Sequence, residues 1–289
     1  MLAPEALRAH AQHVEFLGYR ELFTADHVGG TMGDPCIPLA IAAEATTTLR
    51  VGPLVVNNEF HHPVLLARAA ASLDRMTGGR VVLGMGTGYA RAEHDATAIE
   101  LRPPRERVDR FAESLQVVRD LLDTGSCHFT GEHHQISLDD FGVTPTQPRV
   151  ELLVGGHGRR VVRLAGRFAD TFQFTGLTTD TAGNLSTGGF GLDHLDQRAA
   201  WLTDAQGDRT IERSAIVQVC EIAPAASVTD ALCDRLGQPA EVIAATPFVL
   251  VGSVEQVVDK LERLRERLGI THYVVRDADE FAPVVDALA

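Results

Sequence analysis

The chain has 289 residues, 45% of them apolar and 22% charged, with a formal net charge of −13. That length buries roughly three quarters of the unfolded surface. The acidic balance argues against a nucleic-acid footprint, which needs basic patches, and no apolar run is long enough to cross a bilayer. The N-terminus shows no basic segment leading into an apolar one, so no secretory signal is expected. Cys36, Cys127, Cys220 and Cys233 lack any C-x-x-C spacing and read as free thiols of a reducing cytoplasm.

Leu7, Ala11, Val14 and Leu17 recur at helical spacing, which predicts a helix over 4–17 closed by Gly18, then a short strand over 19–24. A helix over 38–48 and a strand over 50–56 follow. Pro63 opens an apolar-rich helix that Gly78-Gly79 closes. The run Arg80-Val-Val-Leu-Gly84-Met-Gly86-Thr-Gly88 reads as a strand buried on both faces that ends in glycines. Such glycines permit a tight turn, or the approach of a ligand to main chain with no Cβ in the way. A long helix spans 105–122, and residues 125–148 hold a short hairpin around Gly131-Glu132. Strand 150–154 runs into Gly155-Gly156-His157-Gly158-Arg159, which repeats the glycine-ended plan, followed by helix 159–168 and strand 170–174. Residues 176–192, rich in Gly, Thr and Asp, read as an active-site lid in preference to a linker. Helices over 193–205, 228–235, 240–245 and 254–268, strands over 211–222 and 272–275, and a helix from Asp279 complete the chain. No shift in composition divides it, so 1–289 is expected to be one domain.

Repeated β/α alternation implies a parallel sheet covered by helices. A doubly wound sheet and a barrel both satisfy that pattern. The dinucleotide fingerprint is absent, because Gly84-x-Gly86 continues to Tyr89. Length and the number of units favour an α/β (β/α)8 TIM barrel with its active site at the strand C-termini, where the glycine turns lie. Only seven good strands are counted and the chain opens on a helix, so the first strand of such a barrel is expected to be lacking. Glycine turns entering helices stabilise anions, with Arg159 or Arg160 as a charged contact or a solvated helix face. No metal site is expected: His10 and His13 lack a third ligand, and the neighbours in His61-His62 and His133-His134 point opposite ways.

Five stretches in order resemble the bacterial luciferase-like superfamily: Leu17-Gly18-Tyr19 with Ala25-Asp26-His27; Thr48-Leu-Arg50-Val-Gly52 with His62-Pro63; Leu73-Asp74 through Gly88-Tyr89 to Glu93; Leu153-Val-Gly155-Gly156 with Ala169-Asp170; and Val249-Leu-Val251-Gly252-Ser253. The branch that looks most similar is that of oxidoreductases using the deazaflavin F420, on Asp26-His27 and on Val55-Val56-Asn57-Asn58-Glu59-Phe60. The resemblance implies a TIM barrel, a cytoplasmic homodimer, and hydride transfer between F420 and a small organic substrate. FMN with a monooxygenase reaction, or a non-catalytic flavin or deazaflavin binder, are the alternatives. It implies a non-proline cis peptide at Leu54–Val55 beneath the ring, with Asn57 and Asn58 at the ring's polar edge or in a turn. His27 would be the proton-handling group, with Asp26 fixing its tautomer, touching the cofactor or capping a turn. Gly86, Thr87, Gly88, Gly155, Gly156, His157, Gly158 and Arg159 would hold the cofactor, and Tyr89 and Phe174 would line the pocket. Glucose 6-phosphate is not expected as substrate. Tyr89 stands where the glucose-6-phosphate dehydrogenases of this branch have glutamate, and the one tryptophan, Trp201, and one lysine, Lys260, lie elsewhere.

Overall fold

The computed structural model describes residues 2–29, 33–179 and 185–289. The chain partitions into two compact units, residues 1–155 with 168–170, and residues 156–167 with 171–289.

In the first unit α1 (Pro4–Phe16), β1 (Glu21–Thr24), α2 (Cys36–Glu44), β2 (Arg50–Pro53) and β3 (Val56–Asn57) lead into a 3-10 turn, Asn58–Phe60. Then come α3 (Pro63–Thr77), β4 (Val82–Gly86), α4 (Arg91–Thr97), α5 (Pro104–Thr124), the hairpin β5 (Cys127–Thr130) and β6 (Gln135–Leu138), and β7 (Glu151–Gly156). β1 pairs in parallel with β2, and a Val51–Val81 bridge carries the sheet on toward β4. β4 pairs in parallel with β3 on one side and β7 on the other. Every residue of β4 is buried, as expected of a strand covered on both faces.

Three carboxylates set this unit's connections by collecting backbone amides. Glu15 on α1 accepts from the amides of Thr47, Thr48 and Leu49. Asp74 on α3, fully buried, accepts from the amides of Thr146 and Gln147 and from the Gln147 side chain. Glu113 on α5 accepts from the amides of Glu132, His133 and His134. Gly131 leaves room for this arrangement, because a Cβ there would displace the Glu113 carboxylate from the amides it accepts from.

The second unit contains α6 (Arg159–Phe168), β8 (Thr171–Phe174), the two-residue strands β9 (Thr178–Thr179) and β10 (Leu185–Ser186), α7 (Leu192–Gln206), β11 (Glu212–Ile216) and β12 (Val219–Ile222). After these come α8 (Asp230–Leu236), α9 (Ala240–Ala245), β13 (Val249–Gly252), α10 (Val254–Leu268), β14 (Ile270–Val274) and α11 (Ala278–Leu288). β11 pairs in parallel with both β8 and β14, and β12 pairs in parallel with β13. A capping box between Ser253 and Gln256 starts α10. Among the described residues no helix is long and apolar enough to cross a membrane. Of the lid expected over 176–192, residues 180–184 lie outside the described residues; β9 and β10 pair antiparallel on either side of them.

The structure adds α4, β9 and β10 to the elements expected from the sequence, and three expected elements divide or end early. The strand expected over 50–56 divides into β2 and β3 around Leu54–Val55. The strand expected over 211–222 divides into β11 and β12 because the chain changes partner: Val217 N bonds Val274 O, and Gln218 N turns to Phe248 O. The helix expected over 38–48 stops at Glu44, since the amides of 47–49 bond Glu15 instead of continuing it.

Burial alone would raise the Glu15 pKa, but bonds from the Thr48 and Leu49 amides, the Thr48 hydroxyl and the Thr47 amide bring it down from 4.5 to about 2. A carboxyl with a depressed folded pKa stabilises above its unfolded pKa and loses that contribution as pH falls through the folded one. Urea unfolding followed by far-ultraviolet circular dichroism is expected to show wild type losing stability between pH 4.5 and about 2. Glu15→Gln is expected to be less stable than wild type above that window and to lose less within it.

Candidate active site

Asp26 and His27 follow the C-terminal end of β1, and Leu54 N is tied to that end by a bond to Thr24 O of 2.7 Å. The peptide bond between Leu54 and Val55 is cis. Asp26 Oδ2 accepts from Asn57 N at 2.9 Å and from His61 Nε2 at 2.8 Å. His27 Nδ1 donates to Glu93 Oε1 at 2.6 Å, while the other oxygen of Glu93 accepts from Val28 N at 3.2 Å. Tyr89 meets the His27 ring edge-on with centroids 5.9 Å apart. The His27 side chain remains 35% exposed and that of Glu93 16%. The imidazole is therefore accessible on one side and held on the other. The carboxylate that fixes the His27 tautomer is that of Glu93; Asp26 holds His61.

Behind this pair lies a buried polar layer. Asn57 Oδ1 accepts from Glu59 N, so its Nδ2 faces His94 Nε2 at 3.1 Å. His94 Nδ1 lies 3.0 Å from Ile99 O, which can only accept, so the His94 proton sits on Nδ1 and Nε2 receives the Asn57 amide. Both ends of the Asn57 carboxamide are thus engaged within the protein. Glu59 is buried and its carboxylate is met by Arg102 at 2.9 Å and Arg110 at 3.1 Å. Arg110 also donates to the carbonyls of Asn58 and His61. A buried carboxylate needs such partners, and here they lock the turn that presents His61 to Asp26. The bond to Glu59 raises the Arg102 pKa.

The glycines of β4 have a local cause. A Cβ on Gly84 would strike Pro53 O, one on Gly86 would lie 2.7 Å from Val55 Cγ2, and one on Gly88 would strike the Asn57 carboxamide. Gly88 also has φ +75°. Side-chain-free backbone lets β4 and the turn after it close against residues 53–57, with Thr87 between the two glycines.

In the second unit the turn into α6 has a different character. A Cβ on Gly156 would meet Val161, whereas nothing lies within 4 Å of one on Gly158. The first amides of a helix have no acceptor within it, and they favour an anion. Arg159 stands over Trp201, 5.9 Å from the ring centroid. His157 has its pKa lowered by burial and by Arg198. Arg198, itself buried and brought down to about 10 by that burial, bonds Thr175 O and Gly189 O and so joins the residues just after β8 to those just before α7. Phe174 is fully buried against Phe172, and Gly155 is buried on β7. Among the described residues no three His, Cys, Asp or Glu side chains group as a metal site.

Asp26, His27, Asn57, Gly88 and Tyr89 are thus joined in one network with Glu93, His61 and His94. The sequence reading did not assign roles to those last three, nor to Glu59, Arg102, Arg110 or Arg198. Glu93 carried one signal: it closes the run Gly88-Tyr89-Ala-Arg-Ala-Glu93. Glu59 and its arginines are more than 40 residues apart and gave none.

A family described as luciferase-like monooxygenase matches residues 2–187. The chain is 32% identical over 173 residues to the F420-dependent hydroxymycolic acid dehydrogenase of Mycobacterium tuberculosis, covering 57% of this chain and 48% of that one. It is 37% identical over 115 residues to the 4-hydroxyprotoasukamycin monooxygenase of Streptomyces nodosus subsp. asukaensis, covering 39% and 30%. The chain thus spans about half or less of these curated relatives. The solved coenzyme F420-dependent tetrahydromethanopterin reductase of Methanopyrus kandleri superposes with a TM-score of 0.74 at 19% identity, over 98% of this chain and 94% of that one. At that identity the likeness is one of fold, and the fold is the TIM barrel of luciferase-like proteins.

The packing of Gly88 against Asn57 is measurable without any ligand. Gly88→Ala combines a disfavoured φ with a Cβ in the carboxamide's place, and is expected to lower unfolding stability by about 2 kcal/mol. Wild-type stability in Gly88→Ala, measured by urea unfolding, would remove the argument that this glycine serves the β3–β4 contact.

Proposed function

The chain belongs to the luciferase-like monooxygenase family, and from its similarity to an F420-dependent hydroxymycolic acid dehydrogenase we propose that it is an F420-dependent oxidoreductase acting on a small organic substrate, an alcohol or ketone being the class that a proton-handling imidazole suits. The observation that carries the reading is the His27–Glu93 pair, an accessible imidazole held by a buried-side carboxylate at the end of β1.

The residues present suit a deazaflavin. F420, when bound, supplies hydride exchange at its ring, and the protein has to position the reactants and handle the proton. With Nδ1 committed to Glu93, Nε2 of His27 is the atom left to take the proton of an alcohol or return one to a ketone oxygen. Glu93 stabilises the imidazolium formed on the way. Asp26, held between the Asn57 amide and His61, keeps the loop bearing His27 in place. Leu54, Val55 and the Gly86–Gly88 turn are assigned to the ring side. In the second unit, taken by itself, the open space over Gly158, the first-turn amides of α6 and Arg159 suit a phosphate group. Tyr89, 40% exposed beside His27, is assigned to the substrate side. The similarity to a monooxygenase over 115 residues supports a second reading, with FMN as cofactor and oxygen as co-substrate.

Fluorescence titration of the purified protein with F420 and with FMN separates the two: F420 is expected to bind and FMN not. Binding of FMN alone would overturn the first reading. On the best substrate of an alcohol and ketone panel, His27→Ala is expected to lower kcat about 100-fold or more. The Kd for F420 should move less than about threefold. Unchanged turnover would remove His27 from the chemistry.

A further inference from the structure

Lys260 is the chain's one lysine, and it lies on the apolar face of α10, among Val257, Leu261 and Leu264, with 9% of its surface exposed. Its Nζ donates to Val249 O at 2.6 Å and to Ile243 O at 3.3 Å. Two carbonyls satisfy the two N–H bonds of a neutral amine and leave its lone pair unused; an ammonium would have a third N–H to place. Burial first, and then the charge of Arg263, bring the Lys260 pKa down to about 7. Lysines that serve as amine nucleophiles owe that behaviour to the same two influences.

The side chain also borders a cavity of about 550 Å³ in the second unit. α7 and α9 contribute Leu192, Ala244 and Ala245 to its walls, and the charged groups facing it, Arg263, Glu266 and Arg267, all come from α10 with Lys260. Arg267 is held by Asp196, with Nη2 2.6 Å from Oδ2. The cavity is therefore walled by the lysine side chain and by a second cation, Arg263, and has room for a small molecule.

We propose that this cavity captures small anionic aldehydes, Lys260 Nζ forming an imine with the carbonyl carbon while Arg263 receives the anionic group. The Nζ lone pair adds to the carbonyl carbon. The carbon–oxygen bond then breaks, and the oxygen leaves as water with the two protons that Nζ gives up. Nothing is oxidised or reduced. On protonation the imine regains one N–H, which can still donate to Val249 O. The site is independent of the oxidoreductase reading, and its test needs neither F420 nor a substrate.

Pyridoxal 5′-phosphate is the probe. The whole protein is incubated with it at neutral pH, reduced with cyanoborohydride, and analysed by intact mass and peptide mapping. Since Lys260 is the one lysine, the competing amine is the chain's α-amino group. The expected result is one adduct, on Lys260, absent from Lys260→Arg. Arg263→Ala is expected to weaken labelling by pyridoxal 5′-phosphate about tenfold, the worth of one charge-assisted hydrogen bond. The same variant should leave labelling by uncharged pyridoxal within about twofold. Adduct confined to the α-amino group, or on Lys260 only after unfolding in urea, would overturn the proposal and leave Lys260 as a clamp between α9 and β13. Equal labelling of wild type and Arg263→Ala by the phosphate probe would overturn the assignment to anions.

Discussion

The first unit depends on how closely β4 approaches the bend between β2 and β3. The backbone at 53–57 turns through the cis bond at Leu54–Val55, and Pro53 O, Val55 and Asn57 stand where side chains at 84, 86 and 88 would have to be. A Cβ at 84 meets backbone and would force the strands apart, while one at 86 or 88 would displace the buried side chains of Val55 or Asn57. Asn57 is thereby set where its amide reaches Asp26 and its carboxamide reaches His94, and Asp26 and His27 are adjacent in the chain. The geometry of the candidate site follows from this contact.

Carboxylates do much of the remaining organisation. Glu15, Asp74 and Glu113 each gather two or three backbone amides from a distant loop, and Glu59 gathers two arginines and fixes the turn at 58–61. Each converts an irregular segment, whose amides would otherwise need water or secondary structure, into a fixed support. Charge-assisted bonds to amides are stronger than neutral ones, which is why a few acidic side chains can hold loops without regular pairing. His27 and Glu93 use the same chemistry with an imidazole as the donor; under the proposed function its other nitrogen, Nε2, exchanges a proton with the reactant.

Family membership fixes a type of scaffold and a type of chemistry, and this chain's own residues narrow it. An imidazole held on one side by a carboxylate and accessible on the other suits proton exchange coupled to hydride transfer. The open turn over Gly158 suits a phosphate on either F420 or FMN, and the ring that is bound sets the reaction, because reduced flavin reacts with oxygen far more readily than deazaflavin does.

Local chemistry made much of this legible in the sequence. Apolar periodicity located nearly all the helices, glycine after an apolar run marked the end of β4 and of β7, and ordered motifs pointed to the luciferase-like scaffold and to Asp26-His27. The long-range pairings were hidden: Glu93 stood at the end of a recognisable run but nothing tied it to His27, and an isolated Arg102 or Arg110 looks like any solvated charge. The sequence also could not show that the β4 glycines answer Val55 and Asn57, since backbone freedom reads the same whatever fills the space. Periodicity and backbone stereochemistry are properties of neighbours along the chain, and these the sequence determined by itself. Which carboxylate meets which histidine, and which backbone needs a missing Cβ, are properties of neighbours in space. Only the tertiary structure decided them.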